Sequence, residues 1–129
     1  MANVLIVDDD PHFRAIIERV ILRNHACSVT AAATEEEAWD HLSKQTCDLV
    51  LLDLHIEGKK SWDTLKKIGE MPAGPAVIVV TCDDTRENAE YSRSLGAADF
   101  LSKPIDFGRL KESIEAALGA GCPPVPPRA

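Results

Sequence analysis

No two of the four cysteines stand as CxxC, and no His pair accompanies them. A zinc site is therefore not expected. Cys27, Cys47, Cys82 and Cys122 fit unpaired thiols in a reducing compartment instead. No apolar run approaches the roughly 20 residues that span a bilayer. Met1-Ala2-Asn3 carries no basic stretch, and the apolar run after it is too short for a signal peptide. A cytoplasmic location is expected. Basic charge is in deficit too, with a net charge of −7. Such a surface repels a phosphate backbone, so direct nucleic-acid binding is not expected. Lys59-Lys60 and Lys66-Lys67 form the one local basic cluster and read as solvated side chains. There is no internal repeat.

What is present fits one globular domain. The 129 residues are 45% hydrophobic and 27% charged, enough for a full core. The chain is organised around Val50-Leu51-Leu52-Asp53. The apolar run from Leu49 to Leu52 reads as a strand buried on both faces of a parallel sheet. Asp53 then stands at the strand's carboxyl end, where open α/β sheets place their ligands. Asn3 to Val7 and Ala76 to Val80 read the same way, and Ser28 to Ala32 and Ala98 to Ser102 as weaker strands.

Helices alternate with these strands. Asp9 or Asp10 caps the first, in which Phe13, Ile16, Ile17, Val20 and Ile21 recur at helical spacing. Thr34-Glu35-Glu36-Glu37 is a capping box for the second, with Ala38 and Leu42 inward. His55 to Lys60 reads as a polar loop. Ser61 is placed to cap the third helix, with Leu65 and Ile68 inward. Asp83-Asp84-Thr85 leads into the fourth, which Gly96 ends. Asp106 caps the fifth, with Phe107, Leu110 and Ile114 on one face.

Five strands and five helices in alternation predict an α/β doubly wound, five-stranded parallel sheet. Strands one, three and four look most buried. With right-handed crossovers this favours the order 2-1-3-4-5. The domain is expected over residues 1–118. Residues 119–129, rich in Gly and Pro, read as a tail or the start of a linker.

The chemistry collects at one sheet edge. Asp8, Asp9 and Asp53 offer oxygen ligands alone, which suits Mg²⁺. Lys103 adds a compact positive charge and Thr81 a hydroxyl donor. Asp53 is then the nucleophile for phosphoryl transfer, forming an acyl phosphate. Taken singly, Asp8-Asp9-Asp10 could be a generous helix cap, Thr81 a turn residue and Lys103-Pro104 an ordinary loop. Their convergence on one edge is what argues for a site.

Four segments carry a family resemblance: Leu5-Ile6-Val7-Asp8-Asp9-Asp10, Leu51-Leu52-Asp53-Leu54, Val79-Val80-Thr81 and Asp99-Phe100-Leu101-Ser102-Lys103-Pro104. Together they resemble the response-regulator receiver domain of two-component signalling, over about residues 3 to 118. The resemblance implies a flavodoxin-like fold and the same strand order. It implies that Asp53 accepts a phosphoryl group from the phosphohistidine of a sensor histidine kinase. Asp9 and Asp53 would bind Mg²⁺ directly, Asp8 through water, and the His55 carbonyl would complete the protein ligands. Thr81 and Lys103 would hold the phosphoryl oxygens. Thr81 and Phe100 would be the switch pair, acting on the face of the fourth helix, fifth strand and fifth helix. Arg86, Glu90, Tyr91, Arg93 and Lys111 are candidates there for contact with an effector, an output domain or a second copy. The Lys103-Pro104 bond would be cis. His55 and Asp83 would border the path of the hydrolytic water.

The chain departs from the family pattern in three places. Ile56-Glu57 stands where Met-Pro is usual, Ser61 where a glycine is usual, and Cys82 where a small residue follows the threonine. Two other readings compete. Asp8-x-Asp10 resembles the nucleophile motif of haloacid-dehalogenase-like phosphatases, a reading that leaves Asp53 without a role. A receiver-like binding module that is never phosphorylated is the other, although such modules usually lose an acid or the lysine. The expected role is a phosphoacceptor switch rather than a turnover enzyme. The sequence is consistent with a stand-alone receiver or with the first part of a longer regulator.

Overall fold

The computed structural model describes residues 2–119. In chain order its elements are β1 (Ala2–Val7), α1 (Pro11–Asn24), β2 (Cys27–Ala32), α2 (Glu35–Lys44), β3 (Leu49–Leu52), β4 (His55–Ile56), β5 (Lys59–Lys60), α3 (Trp62–Gly69), β6 (Ala76–Thr81), α4 (Arg86–Ser94), β7 (Asp99–Ser102) and α5 (Phe107–Leu118). Five strands make one sheet in the order β2-β1-β3-β6-β7, all pairs parallel. Without the two short hairpin strands this is the expected 2-1-3-4-5. Beyond Gly119, the segment read as a tail or linker lies outside the described residues.

Successive side chains of the central strands point to opposite faces. Val4, Ile6, Leu49, Leu51, Ile78 and Val80 meet Ile17 and Ile21 of α1 and Leu110 and Ile114 of α5. Leu5, Val7, Val50, Leu52, Val77 and Val79 meet Ala38 and Leu42 of α2 and Leu65 and Ile68 of α3. Both faces are covered, which is why these strands are continuous apolar runs. Each large side chain fully removed from water contributes about 1.5–3 kcal/mol.

The register sets the level of the strand ends. Val7 pairs with Leu52, and Leu52 with Val79. Asp8 and Asp53 therefore leave the sheet side by side, and the Asp53 N–H donates to the Val7 carbonyl at 3.0 Å. β6 runs on to Thr81, whose carbonyl accepts from the Lys103 N–H at 2.9 Å. All four residues are thus brought to one edge by main-chain pairing.

Helix ends follow the sequence signals. The Asp10 carboxylate accepts from the His12 and Phe13 N–H groups, and Thr34 Oγ1 from the Glu37 N–H. Glu37 reaches back to the Ala33 N–H, one residue before the cap. Gly96, at φ 105, follows the end of α4, where the Ala97 N–H donates to the Ser92 carbonyl. Among the described residues of α4, Ser92 is the one that is buried, so this helix is lightly anchored.

Four local expectations are corrected. The segment His55 to Lys60 is a β-hairpin, not a polar loop: His55 pairs with Lys60 and Ile56 with Lys59. Glu57 and Gly58 turn it with φ 53 and 76, the two left-handed residues of a two-residue hairpin. Ile56 is buried in the core beneath it. Ser61 does not cap α3 with its side chain. Its hydroxyl is taken by the Asp53 carbonyl instead. Ile16 is 51% exposed, because it lies one residue, about 100°, round the helix from Ile17. Phe107 is also exposed; it begins α5, ahead of the part that Leu110 and Ile114 press on the sheet.

Candidate functional site

The carboxylate oxygens of Asp8, Asp9 and Asp53 lie within 4.8 Å of one another. Asp8 and Asp53 are buried, whereas Asp9 is exposed at the rim. Lys103 Nζ closes the inner side. It donates to Asp8 Oδ2 at 2.7 Å and to Asp53 Oδ2 at 3.1 Å. It also stands 4.1 Å from the centroid of the Phe13 ring, a cation–π contact. The Lys103-Pro104 bond is cis, as the resemblance implies.

Electrostatics here is a balance of burial against pairing. Burial pushes the Asp8 carboxyl above its usual value, against the pull of Lys103 and the Asp10 N–H. Burial also works against the Lys103 ammonium, but hydrogen bonds to Asp8 and Asp53 outweigh it and raise its pKa. A charged ammonium between two carboxylates is the state these contacts favour. Removing it would leave the carboxylates unpaired in a partly dry site.

Around this core the hairpin closes a ring of contacts absent from the sequence reading. The Ser61 hydroxyl donates to the Asp53 carbonyl at 2.6 Å, and the His55 N–H to Asp53 Oδ1 at 3.1 Å. The Glu57 N–H donates to Asp9 Oδ2 at 2.8 Å. His55 Nε2 lies 2.7 Å from Asp83 Oδ2 across the mouth. That contact, more than any other, holds the Asp83 carboxyl below its ordinary value. On the other side Arg14 donates to the Asp8 carbonyl at 2.7 Å. The sequence offered one signal for the hairpin, an apolar Ile56 and a Gly58 within an otherwise polar stretch.

The remaining candidates fall where the strands put them. Thr81 is buried, and its Oγ1 accepts from the Asp83 N–H at 3.1 Å. Phe100 is half-buried against the core cluster on the α2–α3 face. Asp10 is exposed and committed to the α1 cap. The Asp8-x-Asp10 arrangement of a phosphatase nucleophile motif is thus not assembled here. His55 offers its imidazole to Asp83, so its side chain is not among the clustered donors. The set of Asp8, Asp9 and Asp53 is all oxygen, which fits a hard cation such as Mg²⁺. Among the described residues no helix is long and apolar enough to cross a membrane.

Comparison with known proteins agrees with this geometry. The family described as the response regulator receiver domain matches residues 4–115. The transcriptional regulatory protein ZraR of Salmonella typhimurium is 32% identical over 116 residues, covering 90% of this chain and 26% of that protein. The sensory transduction protein LytT of Bacillus subtilis is 30% identical, covering 89% of this chain and 47% of its own length. The chain thus spans about a quarter to a half of these relatives. Among solved structures, a CheY-like receiver domain protein from Methanospirillum hungatei JF-1 aligns with a TM-score of 0.81 at 26% identity, covering 90% of this chain and 92% of that one. The receiver domain of a putative Luxo repressor from Vibrio parahaemolyticus gives 0.82 at 27% identity, with 90% and 88% covered. The chain belongs to the response regulator receiver domain family.

Proposed function

We propose that this chain is a phosphorylation-operated switch in which Asp53 accepts the phosphoryl group. The observation that carries the reading is Lys103 Nζ shared between Asp8 and Asp53 beside Asp9. That geometry leaves an anionic pocket with one fixed positive charge, suited to a doubly charged cation and an incoming phosphoryl oxygen together. An Asp53 carboxylate oxygen attacks phosphorus while the P–N bond of a kinase phosphohistidine breaks, its electron pair returning to the imidazole. Asp9, Asp53, Asp8 through water and the His55 carbonyl would hold Mg²⁺. When bound, the ion neutralises charge on the carboxylates and the phosphoryl oxygens.

Lys103 and Thr81 then take the phosphoryl oxygens, Lys103 by charge and Thr81 by its hydroxyl. Thr81 and Phe100 relay the state to the face of α4, β7 and α5. The partners on this reading are a sensor histidine kinase and a downstream effector or output domain, with phosphorylation-linked pairing of two copies at the same face. ZraR is by name a transcriptional regulator, and such an output would lie outside this chain's described residues.

The test is phosphorylation by a small phosphodonor with Mg²⁺, followed by intact-mass spectrometry. One phosphoryl group should be gained. Asp53→Asn should not gain it, because an amide is not a competent nucleophile. Undiminished labelling of that variant would overturn the assignment.

A further inference from the structure

We propose that Ser61 and Trp62 form a second link between Asp53 and helix α4, separate from the Thr81 route. The inference rests on Asp53 being the phosphoacceptor. Ser61 is fully buried at the end of the hairpin. Its N–H donates to the Leu54 carbonyl at 2.8 Å and its hydroxyl to the Asp53 carbonyl at 2.6 Å. This residue therefore grips the main chain at two successive carbonyls, those of Asp53 and Leu54, directly after the nucleophile's Cα. It is a positioning residue, since it touches the backbone and not the reacting carboxylate.

Trp62 is the next residue and the first of α3. Its ring meets Tyr91 of α4 edge-on, with centroids 4.7 Å apart and planes at 73°. Trp62 is half-buried, and its other contacts are with the core cluster on that face of the sheet. Tyr91 is 48% exposed, and α4 is anchored by little besides Ser92. The aromatic pair is thus a direct contact between α4 and the element that Ser61 ties to Asp53.

The hairpin has reason to move when the site fills. Two of its bonds, His55 N–H to Asp53 Oδ1 and Glu57 N–H to Asp9 Oδ2, end on carboxylate oxygens. Both oxygens belong to carboxylates of the acidic cluster, which a cation and a phosphoryl group would draw on. The Ser61 bond ends on a main-chain carbonyl, outside the set of carboxylate oxygens. Displacement of the hairpin is then transmitted through Ser61 to Trp62 and so to Tyr91. The route bypasses Thr81.

Trp39 and Trp62 are the two tryptophans, so Trp39→Phe leaves Trp62 as a single reporter. In that background, beryllofluoride with Mg²⁺ serves as the phosphoryl mimic, and bound fluoride is followed by fluorine NMR on the same samples. Trp62 emission should change on saturation, and the change should survive in Thr81→Ala. It should fall at least threefold in Ser61→Ala, return in Ser61→Thr, and be altered in Tyr91→Leu. Bound fluoride with silent Trp62 emission, or an equal response in Ser61→Ala, would overturn this link while leaving the role of Asp53 standing. A parent protein that shows no bound fluoride would overturn both.

Discussion

His55 Nε2 and Asp83 Oδ2 are 2.7 Å apart, which joins the hairpin to the loop after β6 across the mouth of the acidic site. If Asp53 carries an acyl phosphate, as proposed, this bridge borders the path of the hydrolytic water. Replacing His55 or Asp83 by Ala opens the mouth, so phospho-Asp53 should decay several-fold faster in both while still forming. Half-lives measured after removal of the phosphodonor decide this; equal decay in all three proteins would take the bridge out of the mechanism.

Lys103 is the counter-ion of two carboxylates, and the cost of losing it is calculable in sign. Lys103→Met leaves the buried Asp8 carboxylate beside Asp53 with no cation. Breaking a buried ion pair costs about 3–5 kcal/mol when fully dry, and less at this partly open edge. Asp8 should then titrate higher than it already does, so the variant should lose stability as pH rises from the ordinary 3.8 up to that raised value. Mg²⁺ binds the folded form, so it should recover more stability in the variant than in the parent. Urea midpoints with and without Mg²⁺ at pH 6 and 8 make the comparison. A variant as stable as the parent in EDTA would show that the pair is not what satisfies Asp8.

Asp99 joins the start of β7 to α5. Its carboxylate accepts from the Ser113 hydroxyl at 2.7 Å and pairs with Arg109 at 3.0 Å. Burial alone would raise its pKa, but Ser113, the Phe100 N–H and Arg109 together bring it below the ordinary 3.8. A folded value below the unfolded one means stability that is present above about pH 4 and lost as pH falls through the folded value. Asp99→Asn should therefore lower the urea midpoint at pH 7 and narrow the gap to the parent at pH 3. A gap unchanged between those two pH values would contradict the linkage.

Where the sequence was legible, the signal was local. The apolar runs ending at Val7, Leu52 and Val80 are readable because each side chain is buried on one face or the other, and their ends carry Asp8, Asp53 and Thr81 with them. The hairpin was not legible because Glu57-Gly58 lacks the usual Asn-Gly or Asp-Gly signature, and its Glu takes a left-handed φ that the residue rarely adopts. Ser61 has the residue type of a cap and is used otherwise, since a buried carbonyl eight residues back in the chain competes for its hydroxyl. The Trp62–Tyr91 pair joins two helices that no periodicity relates.

The switch itself gives the last prediction. Thr81 Oγ1 accepts from the Asp83 N–H at 3.1 Å, so its own O–H remains to donate. A phosphoryl group on Asp53 offers that proton a charged acceptor, a bond of about 1.5–3 kcal/mol. Thr81 should move towards it and bring the Asp83 loop with it, because Asn88 of α4 donates to the Asp83 carbonyl at 3.0 Å. The start of α4 therefore follows, and with little of that helix buried the movement meets weak resistance. Phe100 pairs with Val79 in the register beside β6 and is half-buried. Lacking a hydroxyl to anchor it outside, it gains by turning into the space that Thr81 leaves. On the proposed reading, phosphorylation shifts the population of this rotamer rather than creating it. NMR of the free and beryllofluoride-bound protein should show shift changes along α4 and in the Phe100 ring. Thr81→Ala should keep the changes at Asp53 and its loop but lose those at the Phe100 ring. Changes confined to the loops around Asp53 in the parent protein would defeat the coupling.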